Sequence, residues 1–166
     1  MNLSRFSQSD KGYTLTELMV VVGLIAIMTG VGYSGFSSWQ KRERLNSITY
    51  QFSDYLKEAR MLAIEKRTSY SVSFLADQYT IFVDFNGDGV LDVDQGETIV
   101  HQVNVAQREP GITITVPSGY ALVYNIRGMP AAFSNATITF SNAGGSSCNV
   151  KISTLGRVAV DTSGNN

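Results

Sequence analysis

Lys11-Gly12-Tyr13-Thr14-Leu15-Thr16-Glu17-Leu18 opens an apolar run that continues through Met19-Val20-Val21-Val22-Gly23-Leu24-Ile25-Ala26-Ile27-Met28 to Tyr33. Glu17 is the one charge between Tyr13 and Tyr33. About 20 such residues suffice for a helix to cross the hydrocarbon core of a bilayer. Downstream the chain reads Gly35-Phe36-Ser37-Ser38-Trp39 and then Lys41-Arg42-Glu43-Arg44, without the Ala-x-Ala cleavage site of a secretory signal. Arg5 and Lys11 precede the run, and basic flanks stay cytoplasmic. The expectation is a single-pass span over 13–38, with everything after it across the membrane.

The segment from Lys11 to Leu18 resembles the prepilin processing site of type IV pilins and type II secretion pseudopilins. The resemblance implies that a prepilin peptidase removes residues 1–12 by cutting after Gly12. It implies that Tyr13 becomes the N-methylated first residue of the mature chain and Glu17 its fifth. Tyr stands where Phe is commoner. The implied location is the bacterial inner membrane with a periplasmic globular domain, and the implied partners are other pilins in a filament. Physical chemistry gives Glu17 an independent reason. An ionisable group inside an apolar span is costly, and is paired or functional. The amine freed on a neighbouring subunit could neutralise it, and the helix dipole favours a carboxylate near the N-terminus. A carboxylate that snorkels to interfacial water is the plainer alternative.

After the span, Leu45, Ile48, Phe52, Tyr55, Ala59 and Leu62 recur at alternating steps of three and four, the stripe of an amphipathic helix. Lys41, Arg42, Arg44, Lys57, Glu58, Arg60, Glu65 and Lys66 fall mostly on other faces. One helix from Thr14 to about Lys66 would be on the order of 80 Å long. Its stalk half is 39–67. Gly23, Gly30, Gly32 and Gly35 each weaken it by roughly 1 kcal/mol relative to alanine, so Gly30–Gly35 is a place where it could bend or melt.

From Ser69 the period changes to two. Tyr70, Val72 and Phe74, then Tyr79, Ile81 and Val83, predict a hairpin turning at Ala76-Asp77-Gln78. Further strands are predicted at 98–105, 112–116, 121–125, 137–140, 149–154 and 158–160, separated by glycine and proline. The fold class is therefore α+β. A long N-terminal helix covers one face of an antiparallel β-sheet domain at 68–166, and the polar tail 161–166 is expected to fray. This layout, the segment Tyr79–Gly89 with Gly96-Glu97, and Leu155-Gly156-Arg157-Val158 resemble the GspH/FimT branch, and the resemblance implies the type IV pilin-like fold.

Asp84-x-Asn86-x-Asp88-Gly89-Val90-x-Asp92 matches the start of a calcium loop, with Asp84, Asn86, Asp88, the Val90 carbonyl and Asp92 as oxygen donors. The closing glutamate is missing, because Gln95 stands at position twelve. A plain turn rich in Asn, Asp and Gly is the alternative.

The 166 residues carry a formal charge of −1, one cysteine and one histidine. That excludes an internal disulfide and makes a histidine metal cluster or a catalytic dyad hard to build. Cys148 reads as a small strand residue, and no triad or phosphate loop appears. A structural subunit is thus the first reading: a minor pilin or pseudopilin acting in assembly initiation or at the filament tip. DNA capture through Arg127, Lys151 and Arg157 is the alternative, and these cations, with Arg108, are sparse for phosphate binding.

Overall fold

The computed structural model describes residues 12–75, 77–117, 120–131 and 135–164. The predicted leader through Lys11, Ala76 of the hairpin turn, and Ser118-Gly119 lie outside the described residues. Thr14 starts α1 (Leu15–Lys66) by capping, because the Glu17 N–H bonds both its Oγ1 and its carbonyl. Two units divide at Trp39.

In the first unit the helix is apolar on every side, and Leu15 to Thr29 are exposed throughout. Among the described residues no single helix is long and apolar enough to cross a membrane alone. The helical pieces Leu15–Gly30 and Gly35–Lys66 pass that test only as a pair.

In the second unit the described residues form eight strands: β1 (Ser69–Leu75), β2 (Gln78–Asp84), β3 (Ile99–Asn104), β4 (Ile112–Thr115), β5 (Leu122–Tyr124), β6 (Ala136–Asn142), β7 (Ser147–Ile152) and β8 (Val158–Asp161). Each predicted strand is present. They make two four-stranded antiparallel sheets instead of one, ordered β3-β2-β1-β5 and β4-β6-β7-β8. Tail residues also differ from expectation. Asp161 pairs with Asn149 in β8 and Ser147 N–H donates to the Gly164 carbonyl, so the tail is tied to the sheet as far as Gly164. A short helix α2 (Val105–Arg108), capped by Asn104, replaces the predicted end of the third strand.

Leu45, Ile48, Phe52, Leu56, Ala59 and Ala63 are buried against both sheets, together with Thr49 and Ser53. The buried stripe is wider than predicted and takes in Leu56 and Ala63, because a helix meeting two sheets covers more of its circumference. The small Thr49 and Ser53 permit that close approach. Thr49 Oγ1 returns its hydrogen bond to the Leu45 carbonyl at 2.7 Å. Phe52 contacts Phe74 of β1, Tyr79 of β2 and Phe140 of β6, with centroids 6.0, 4.8 and 5.3 Å away. At the flank, Glu58 bonds His101 of β3 at 2.9 Å while Tyr55 stacks on the same imidazole at 3.9 Å.

The hydroxyls of Tyr79 and Tyr124 are buried without a hydrogen-bond partner among the described residues. Burial pushes both phenol pKa values up. A raised folded-state pKa leaves stability intact below the unfolded value near 10 and removes it as pH rises toward the folded value. We therefore expect stability in detergent to fall above pH about 10 by about 1.4 kcal/mol per pH unit for each tyrosine. Tyr79→Phe should lose no stability at pH 7 and should flatten that slope, as read from urea midpoints at pH 9 and 11.

Candidate functional site

Gly12 and Tyr13 precede the capped helix and are exposed. Tyr13 is 87% exposed. Tyr13, Glu17, Leu18 and Val21 share one face of the first turns and line a shallow hollow. The Glu17 N–H serves the Thr14 cap, whereas its carboxylate has no hydrogen-bond or ion partner among the described residues. A charge one turn into an apolar, exposed helix is costly to leave unpaired away from water.

The loop after β2 is organised differently from the expected cation site. Asp84 is fully buried, and it accepts hydrogen bonds from Gly87 N–H at 2.5 Å, Gly89 N–H at 2.9 Å and Ser71 Oγ at 2.5 Å. Asp88 accepts from Val90 N–H and Asn86 Nδ2, both at 2.8 Å. Glu97, also buried, takes Phe85 N–H at 3.0 Å and Asp92 N–H at 2.8 Å. Asp92 in turn holds Gln95 at 2.9 Å. Of the donors named for calcium, Asp84, Asn86 and Asp88 thus accept the loop's own backbone N–H groups and Asp92 holds the Gln95 side chain, while Val90 contributes its N–H to Asp88 and Glu97 closes a hydrogen-bonded turn. Among the described residues no three acidic, histidine or cysteine groups gather in a form that could hold a metal ion. Gly89, at φ 78°, is required here, because a Cβ would lie 3.0 Å from the Ala121 Cβ.

Of the three cations weighed for DNA, Lys151 pairs with Asp161 across β7 and β8 at 2.6 Å. That pair, with Ser163, holds the Asp161 carboxyl well below the usual carboxylate range. Arg127 and Arg157 sit on two turns that touch. Arg60 of α1, which lies off the apolar stripe, donates to the Gly128 and Leu155 carbonyls at 2.8 and 3.1 Å and joins them. No sequence signal marks Arg60 for this, since its partners are backbone oxygens.

Residues 49–156 match the profile of the type II transport protein GspH family, well over half of the chain, and residues 7–33 match the prokaryotic N-terminal methylation motif. The chain belongs to the GspH family. It is 26% identical over 156 residues to the pilin-like protein PilA1 of Thermus thermophilus, a match that spans 91% of this chain and 98% of that protein. It is 33% identical over 56 residues to prepilin peptidase-dependent protein D of Escherichia coli, which covers 34% of this chain and only 38% of that protein. Among solved structures it resembles the type IV minor pilin FimU of Pseudomonas aeruginosa, with TM-score 0.59, 17% identity and coverage of 74% of this chain and 92% of that one. It also resembles the minor pseudopilin EpsH of Vibrio cholerae, with TM-score 0.56, 14% identity and coverage of 72% and 97%. The fold of this GspH-family chain is type IV pilin-like.

For this family member, Asp84→Ala should strand the buried Gly89 N–H and Ser71 hydroxyl, together with the more exposed Gly87 N–H, and destabilise the domain by about 2–4 kcal/mol. Millimolar calcium should leave the melting temperature of the unmutated chain unchanged. A calcium-dependent rise in differential scanning fluorimetry would restore the cation reading.

Proposed function

We propose that this chain is a minor pilin or minor pseudopilin. The prepilin peptidase cuts it after Gly12, it is held in the inner membrane by one pass over 13–38, and it is drawn into a pilus or pseudopilus at initiation or at the tip. A structural subunit of that family is what the family match and the fold support. The observation that carries the finer reading is an all-round apolar helix whose carboxylate, Glu17, has no partner among the described residues. Such a surface needs lipid or other helices around it, because exposing it to water costs about 25 cal/mol per Å². Lipid serves the stored subunit and neighbouring helices serve the assembled one. The amine of Tyr13 on an adjacent subunit then supplies the charge that Glu17 lacks at home.

The two steps separate experimentally. Gly12→Val should block shortening of the chain by co-expressed prepilin peptidase in intact-mass spectra, and unchanged processing would refute the cleavage assignment. Glu17→Gln and Glu17→Ala should still insert, since losing a charge eases insertion by up to about 3 kcal/mol. Both should nonetheless be depleted from sheared filaments or from complexes with partner pilins. Leaving one member of a desolvated pair alone costs more than the intact pair contributes. Recovery equal to the unmutated chain for both variants would remove the pairing role.

A further inference from the structure

A cavity of about 240 Å³ opens where Lys41 and Arg44 of α1 meet the turn leading into β4, at Glu109 and Gly111, and the β6–β7 turn, at Asn142 and Gly144. Its walls are fixed to each other. The Ala143 N–H donates to the Gly111 carbonyl at 3.0 Å, and Arg44 lies 3.7 Å from Glu109. Asn142 Oδ1 accepts from the N–H groups of Gly144 and Ser146 at 2.9 and 3.0 Å, which assigns its amide orientation. The Asn142 NH₂ has no partner among the described residues. Lys41 has no carboxylate within ion-pair distance there either. The cavity therefore offers two cations and a neutral donor beside one carboxylate.

That charge set discriminates among ligands. A purely anionic group meets the repulsion of Glu109, and a lone cation meets Lys41 and Arg44. A group with a phosphate and a primary ammonium a few bonds apart satisfies both ends, since the phosphate takes charge-assisted bonds and the ammonium donates to the carboxylate. Sequence position adds an independent constraint. Lys41 follows Trp39 by two residues and Phe36 by five, at the end of the apolar run, and both aromatic side chains are 58% exposed. Exposed aromatics at the end of an apolar span sit at headgroup depth. We propose that this cavity binds the zwitterionic phosphoethanolamine headgroup of a membrane lipid, with the phosphate on Lys41, Arg44 and the Asn142 amide and the ammonium on Glu109. The inference rests on the anchored reading of the chain and says what holds the domain at the bilayer surface before assembly.

The test uses the full chain in nanodiscs of equal parts phosphatidylethanolamine, phosphatidylglycerol and phosphatidylcholine, released into native mass spectrometry. Phosphatidylethanolamine should be retained over phosphatidylcholine by about fivefold, because a quaternary amine cannot donate to Glu109. Glu109→Gln should erase that preference and keep phosphate-dependent retention. Lys41→Gln should lower retention of all three lipids, with the melting temperature unchanged. An arm with O-phosphoethanolamine separates sources. Displacement of the lipid only at large excess identifies the membrane, because the acyl chains add apolar burial. Displacement at equal concentration identifies a soluble phosphoester with the same chemistry and overturns the lipid assignment. No displacement at any excess puts the lipid outside this cavity and overturns the proposal. Equal retention of the ethanolamine and choline lipids, indifferent to both variants, would overturn the proposal. A chain that never enters the disc would overturn the anchored reading, and this inference with it.

Discussion

Phe52 is where the globular unit is joined. Its ring meets Phe74 and Tyr79 of one sheet and Phe140 of the other. Among the described residues the two sheets share no ladder of hydrogen bonds, and the helix face around Phe52 is a surface on which they converge. Leu45, Ile48, Leu56, Ala59 and Ala63 extend that surface along the helix. Full burial of each large apolar side chain contributes about 1.5–3 kcal/mol, and edge-to-face ring contacts add to it. The sheets are thus assembled on the stalk half of α1, and the domain needs that helix as its core.

Polar groups do the remaining positioning at particular atoms. Asp84 and Glu97 are buried carboxylates that shape the loop after β2 by taking its N–H groups. Arg60 does the converse at the opposite charge, bringing two turns together through their carbonyls. Charge-assisted bonds of this kind are stronger than neutral ones, and each leaves a costly orphan if its side chain is removed. These residues give the domain hydrogen-bonded turns whose shape is set by side chains from other parts of the chain.

One helix consequently carries two separate solvent problems. Its first half presents apolar side chains in every direction and gives the Glu17 carboxylate no partner among the described residues. Its second half buries one broad face and presents charge on the others. A chain built this way can exchange lipid for neighbouring helices without unfolding its domain, which is the physical requirement on a subunit that moves from a membrane into a filament.

The sequence by itself determined the helix, the eight strands seen among the described residues and the N-terminal methylation motif, because each is written in local periodicity, in Gly and Pro punctuation, or in a contiguous string such as Gly12-Tyr13 with Glu17. Only tertiary structure decided that the strands form two sheets, that Leu56 and Ala63 join the core, and that Thr162–Gly164 are tied down. Strand alternation says which face is buried and nothing about which strand lies alongside. The loop at Asp84 shows the same limit. Acidic residues at alternate positions are equally a cation cage or a set of caps for backbone amides, and the direction each oxygen turns depends on where Ser71, Gly89 and Glu97 lie in three dimensions.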